Sequence, residues 1–161
     1  MIHLERIGPD QDLVLRNLYE HYVHDMSEWL GFETQADGRF AYDTNPFWKG
    51  DFAVYLAKLD QTLVGFAVVQ SGEKWLGKAS SRDVKDFFVL RAHRRKAIAD
   101  EMARFIWKQF PAEWIVRVLP TNRPALPFWR RMVRDFTNSN FEERALVENG
   151  RDWVHLRFDN R

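Results

Sequence analysis

A mixed α/β sheet covered by helices is the fold class this sequence predicts, and three observations carry it. Segments with alternating or continuous apolar residues succeed segments whose apolar residues recur every three or four positions. Two pairs of β-rich runs are joined by the short turns Asp60-Gln61 and Asn149-Gly150, as in tight hairpins. The resulting order is strand, helix, two strands, strand, helix, strand, helix, two strands, without internal repeat or low-complexity stretch. At 161 residues the chain has the length of one domain (1–161), and no linker interrupts it.

Each element has a local reason. Ile2 to Arg6 alternates as a half-buried strand does, and Gly8-Pro9-Asp10 breaks it. Leu15, Leu18, Tyr22, Met26 and Trp29, widened by Tyr19, Val23 and Leu30, make the apolar stripe of a long helix that Gly31 ends. Glu33 to Gly50 has no periodicity and reads as a loop suited to an active-site lip or lid. Phe52–Leu59 and Thr62–Gln70 form an antiparallel pair, and a polar stretch, Ser71 to Asp83, leads to a central strand, Val84–Leu90. The basic turn Arg91–Lys96 follows, then a helix with Ile98, Met102, Phe105, Ile106 and Phe110 on one face, stopped by Pro111. Trp114–Leu119 reads as a strand and Asn122–Val133 as a helix. Phe141–Val147 and Trp153–Phe158 form the closing hairpin.

Composition narrows the function. The 24 Lys and Arg against 23 Asp and Glu leave a formal charge of +1, so no global field draws the protein to nucleic acid or acidic membranes. There is no cysteine, which excludes a thiolate nucleophile, disulfides and Cys-ligated metals. His21, His24, His93 and Glu28 show no metal-ligand pattern, so no metal is expected. The N-terminus has no secretory pattern, and no stretch approaches the roughly 20 apolar residues of a membrane span. A soluble, cytoplasmic protein is the expectation. Most of the seven Trp and thirteen Phe are expected in the core, while Tyr19, Trp29 and Trp48 suit either the core or an acceptor pocket beside the loop.

The chemistry is expected between Asp86 and Gln109, where a buried strand enters a basic turn and then a helix start. The first amides of a helix lack intrahelical acceptors, and with the positive end of the macrodipole they bind anions such as phosphate. Arg94, Arg95 and Lys96 add cations at that end, where they disfavour the helix unless something anionic lies nearby.

This turn, in this order of elements, resembles the pyrophosphate loop of the GNAT (N-acetyltransferase) superfamily: Gln or Arg, two residues, Gly, one residue, then Gly or Ala. Here it reads Arg94-Arg95-Lys96-Ala97-Ile98-Ala99, with Ala97 where the family has Gly. With ordinary helical dihedrals Ala97 costs nothing in conformation, and the loss is only clearance. A second match is Asn122-Arg123-Pro124-Ala125-Leu126-Pro127-Phe128-Trp129. The resemblance implies a mostly antiparallel, twisted mixed sheet of about six to seven strands in a three-layer α/β/α arrangement.

It further implies transfer of acetyl from acetyl-CoA, bound as co-substrate, to a primary amine by direct attack. Arg94 to Ala99 would then face the pyrophosphate, Phe88, Val89 and Leu90 would hold the thioester carbonyl by backbone donors, and Asn122, Ala125 and Phe128 would lie along the pantetheine arm. Asn122 is equally a helix cap. Asp86 is the candidate base for the attacking ammonium; its other reading is an ordinary carboxylate paired with Lys85 or Arg91. The family often has Tyr at position 129 as general acid, and an indole does not titrate usefully in its place.

Two rival readings remain at this level. One is a catalytically silent CoA-binding or interaction module of the same fold, motivated by Ala97 and Trp129. The other is a nucleic-acid binder using Arg91–Lys96 with Arg123, Arg130, Arg131 and Arg134, against which the near-zero net charge stands. The acceptor, a small-molecule or protein amine, is not specified, and the apolar C-terminal hairpin is compatible with a homodimer.

Overall fold

The computed structural model describes residues 1–95 and 97–161. Seven strands form one mixed sheet in the order β1-β2-β3-β4-β5-β7-β6, flanked by helices. The strands are β1 (Ile2–Arg6), β2 (Phe52–Leu59), β3 (Thr62–Ser71), β4 (Arg82–Val89), β5 (Glu113–Val118), β6 (Glu142–Glu148) and β7 (Arg151–Asp159). The helices are α1 (Asp12–Leu30), α2 (Glu73–Leu76), α3 (Ile98–Gln109) and α4 (Ala125–Thr137). β1 and β2 pair antiparallel, as do β5 with β7 and β6 with β7. β4 and β5 run parallel through a short ladder, Arg82 opposite Trp114 and Asp83 opposite Ile115.

The chain divides into two compact units, Met1–Val68 with Asp86–Ala99, and Val69–Lys85 with Asp100–Arg161. In the first, Leu15 and Leu18 of the stripe expected on α1, with Tyr19 and Val23 that widen it, are buried and pack with Val54, Leu56, Phe66, Val68 and Phe88, while Tyr22, Met26, Trp29 and Leu30 are half-buried. A short 3-10 turn, Pro9–Gln11, leads into this helix, with proline where its missing N–H is not needed. Gly31 ends the helix in the left-handed conformation, φ 68°, its amide on the Ser27 carbonyl at 2.9 Å.

The following loop is pinned rather than free. Thr44 Oγ1 and Trp48 Nε1 each donate to Asp12 Oδ1 at 2.7 Å, and Phe47 is buried.

Gly65 on β3 marks a close approach. A Cβ built there would stand 2.1 Å from the Phe88 carbonyl oxygen, which is backbone and cannot rotate aside. Gly65→Ala is expected to lower stability by about 1–3 kcal/mol through overpacking, read as an earlier urea midpoint.

The second unit packs on aromatics. Trp107 of α3 lies against Trp129 and Phe136 of α4 and Phe158 of β7, with ring centroids at 6.1, 4.9 and 5.1 Å. Two elements differ from the sequence expectation. The polar stretch before β4 contains the one-turn helix α2, too short for periodicity to reveal. Helix α4 starts at Ala125 rather than at Asn122, because Pro124 disfavours helical dihedrals at the residue before it. Asn149 and Gly150, at φ 52° and 72°, form the left-handed turn that their identities promised.

Candidate functional site

At the end of β4 the three residues expected to donate to a carbonyl do not stand alike. The Leu90 amide is consumed by the Val64 carbonyl at 2.8 Å, so it is withdrawn from the expected donor set. Val89 turns the other way, and its carbonyl accepts from Arg94 Nε at 2.8 Å. Strand alternation puts the Val89 N–H on that same side and the Phe88 N–H on the side of Val64. Val89 is thus the residue whose amide is directed away from β3.

A 3-10 turn, Arg91–His93, follows, and then Arg94 is extended. Arg95 and Ala97 have left-handed dihedrals, φ 64° and 59°. This corrects the expectation of helical dihedrals at Ala97. The L-residue there carries a conformational cost of about 1–2 kcal/mol that glycine would not. Ile98 is buried, Arg95 and Ala97 are exposed, and Ala99 is half-buried in the first turn of α3. Lys96 lies outside the described residues.

The arginines of the turn are not idle. Arg91 donates to Asp25 Oδ1 from Nε at 3.1 Å and Nη2 at 2.7 Å, and Arg94 Nη2 donates to Asp25 Oδ2. Burial pushes the Asp25 carboxyl up, but the hydrogen bonds and charges of Arg94 and Arg91 outweigh it and hold the group below the usual carboxylate range. Arg94 also lies over the Phe88 ring, 5.7 Å from its centroid.

Asp86 is buried, and both its oxygens accept tyrosine protons from α1: Tyr22 Oη on Oδ1 at 2.9 Å and Tyr19 Oη on Oδ2. Tyr19 and Tyr22 are three residues apart, one helical turn, so both hydroxyls reach the same carboxylate. Burial, then the Asp86 charge and hydrogen bond, raise the Tyr19 phenol well above its ordinary value, so Tyr19 remains a donor. Tyr19, read from sequence as core or pocket wall, is core, stacked on Phe66 at 4.7 Å.

In the second unit, Asn122 is not the N-cap of α4, which is Pro124; it lies two residues before that cap, and its Oδ1 accepts the Ala125 amide at 3.2 Å. Ala125 and Phe128 are half-buried, and Phe128 is packed edge-on to Trp129 at 4.9 Å. Trp129 is buried. Five of the arginines that suggested a nucleic-acid surface are paired with carboxylates: Arg130 with Glu143, Arg131 with Asp100, Arg134 with Asp135, and Arg91 and Arg94 together with Asp25.

Sequence reasoning missed a polar cleft of about 300 Å³ lined by Lys74, Arg117, Glu148, Asn149, Arg151 and Trp153. Its wall is Arg117, fixed by Asp83 through Nε at 3.1 Å and Nη2 at 2.8 Å, with the Trp75 ring centroid 3.9 Å from its guanidinium carbon. The alternation of Arg117 within an apolar strand was the available signal. Among the described residues no group of three His, Asp or Glu side chains is placed to hold a metal ion. No helix among them is long and apolar enough to cross a membrane.

Comparison with known proteins bears on the family and the fold. The profile of the acetyltransferase (GNAT) family matches residues 15–133. Among solved structures, spermidine N-acetyltransferase from Vibrio cholerae, in complex with CoA and spermine, is similar with a TM-score of 0.68 at 13% identity, over 99% of this chain and 95% of that one. The ribosomal-protein-S18-alanine N-acetyltransferase from Escherichia coli is similar with a TM-score of 0.65 at 11% identity, over 99% and 94%. An aminoglycoside acetyltransferase in complex with coenzyme A gives 0.67 at 15% identity, over 99% and 95%. No curated protein sequence matches the chain.

Proposed function

Because this chain belongs to the acetyltransferase (GNAT) family, we propose that it transfers the acetyl group of acetyl-CoA to a primary amine, the amine attacking the thioester carbonyl directly while both substrates are bound. The observation that carries the reading is the end of β4. The Val89 amide is directed away from β3, and two left-handed residues, Arg95 and Ala97, stand between that strand and α3. A backbone N–H so placed is the donor a developing oxyanion needs, and the amides of the turn and helix start suit a pyrophosphate.

In this reading Phe88, Val89 and Leu90 are the strand segment beside the thioester, with Val89 the donor and Leu90 a structural member. Arg94, Arg95, Lys96, Ala97, Ile98 and Ala99 serve the pyrophosphate, and Asn122, Ala125 and Phe128 the pantetheine arm. Direct attack is favoured because the chain has no cysteine to form a thioester intermediate. Asp86 accepts the proton that the nitrogen of the neutral amine sheds as the C–N bond forms. Trp129 does not serve as general acid, and a CoA thiolate with a pKa near about 8.5 leaves adequately without one. The acceptor class is an amine, as the polyamine, protein and aminoglycoside in the names of similar structures suggest.

Calorimetric titration with acetyl-CoA tests the reading, with Ala97→Glu beside the native protein. Micromolar binding by the native protein, reduced at least about 100-fold by a carboxylate placed in the turn, is expected. Absence of native binding, or equal binding by the variant, overturns the assignment of the turn.

A further inference from the structure

We infer that Tyr22 is a catalytic residue: its phenol stands between the acceptor amine and Asp86 and relays to the carboxylate the proton that the nitrogen of the neutral amine sheds as it attacks. This rests on the acetyl-transfer reading above and gives its proton a route. Both oxygens of Asp86 are engaged by tyrosine hydroxyls, and the carboxylate is buried, so an amine approaching from solvent meets a phenol before it meets the carboxylate. Of the three groups only Tyr22 is half-buried; Tyr19 and Asp86 are buried. The Tyr22 ring also lies beside Phe88, the residue preceding Val89, at a centroid distance of 6.0 Å. Asp86 itself is three residues short of Val89, about 10 Å along an extended strand. The Tyr22 hydroxyl, 2.9 Å beyond Oδ1, extends the reach of the carboxylate toward a bound amine.

The two tyrosines divide the work. Tyr19, held protonated by burial and by the carboxylate, fixes Asp86 and is a positioning residue. Tyr22 exchanges protons. As the amine lone pair forms the C–N bond, the nitrogen gives its proton to the Tyr22 oxygen, and the phenolic proton of Tyr22 passes to Asp86 Oδ1. The C–S electron pair leaves with sulfur as thiolate. The proton held on Asp86 returns through Tyr22 to the thiolate or to solvent, and amide, CoA thiol, phenol and carboxylate are the balanced products.

Tyr22→Phe removes the relay and keeps the ring contacts with Phe66 and Phe88. The experiment measures acetylation of a polyamine, an aminoglycoside and a peptide with a free N-terminal alanine, by native and variant protein, from pH 6 to 9. For whichever amine the native protein acetylates, kcat of Tyr22→Phe is expected to fall at least about 100-fold, with acetyl-CoA affinity and melting temperature retained. Its residual rate should rise tenfold per pH unit, because hydroxide must then prepare the amine, where the native rate levels off. A Tyr22→Phe enzyme with kcat within about threefold of native and an unchanged pH profile overturns the relay and leaves acetyl transfer standing. A native protein that binds acetyl-CoA and acetylates none of the amines overturns the functional reading and the relay with it.

Discussion

Asp83→Ala is expected to cost about 3–5 kcal/mol of folding stability. Asp83 is fully buried and accepts two hydrogen bonds from Arg117 and one from Gln70 Nε2 at 2.6 Å. Its removal takes the directly bonded counter-charge from a largely buried guanidinium that lies beside the rings of Trp75 and Trp153, and leaves only the more distant carboxylate of Glu148 acting on it. Breaking such a pair from one side is costly because the surviving charge has lost its water and its partner together, whereas replacing both members by apolar groups is nearly neutral. The double variant Asp83→Leu with Arg117→Met should therefore recover most of what Asp83→Ala loses. Urea denaturation of the three proteins measures both. A loss below about 1 kcal/mol for Asp83→Ala would mean that water reaches Arg117 and that the ion pair behaves as a surface one.

Stability should also fall on mild acidification, and a single histidine is responsible. His155 is fully buried opposite Arg117 in the β5–β7 register, and neither ring nitrogen has a hydrogen-bond partner. Burial first, and then the charges of Arg157 and Arg117, push its pKa down to about 4. An unfolded histidine titrates near about 6.5, so between these values the unfolded chain binds a proton that the folded chain refuses. The contribution of neutral His155 is fully present above the unfolded value and is lost as pH falls from about 6.5 to about 4. At pH 5 the loss amounts to about 2 kcal/mol relative to pH 7.5, before the carboxylates with lowered pKa values begin to protonate. His155→Leu should remove this difference and, by deleting two unsatisfied buried nitrogens, raise stability at neutral pH. Urea midpoints of both proteins at the two pH values decide it; an acid loss of the same size in His155→Leu would place the cause elsewhere.

The fold was legible in the sequence where patterns are long. The stripe on α1, the hairpins and the step from β4 into α3 all rest on periodicity or on turn chemistry that few other conformations satisfy. The one-turn α2 and the start of α4 were less legible, because one has no period and the other is set by a proline acting on the residue before it. Within the candidate site, residue types pointed to Asp86 and to the basic turn, but not to what those groups hold. Asp25 and Arg94 are 69 positions apart, Tyr19 and Asp86 are 67 apart, and no local pattern joins them. Nor did residue type reveal dihedrals. An alanine two places after an arginine reads as helix former, and only the backbone shows it left-handed.

The carboxylate that binds Arg91 and Arg94 makes the basic turn a proton-linked device. Asp25 is held ionised by those two guanidinium groups against its own burial. An anion that draws them away leaves a half-buried carboxylate facing its desolvation alone, and its affinity for a proton must rise. Anion binding at the turn and proton uptake at the helix are then one equilibrium seen from its two ends, and each favours the other by the same factor. The heat of binding would vary with the ionisation enthalpy of the buffer, and affinity would increase as pH falls into the range where the released carboxylate takes up its proton. A ligand taken up at the turn would thus be selected by conditions as well as by its own chemistry, through a side chain that need not touch it at all.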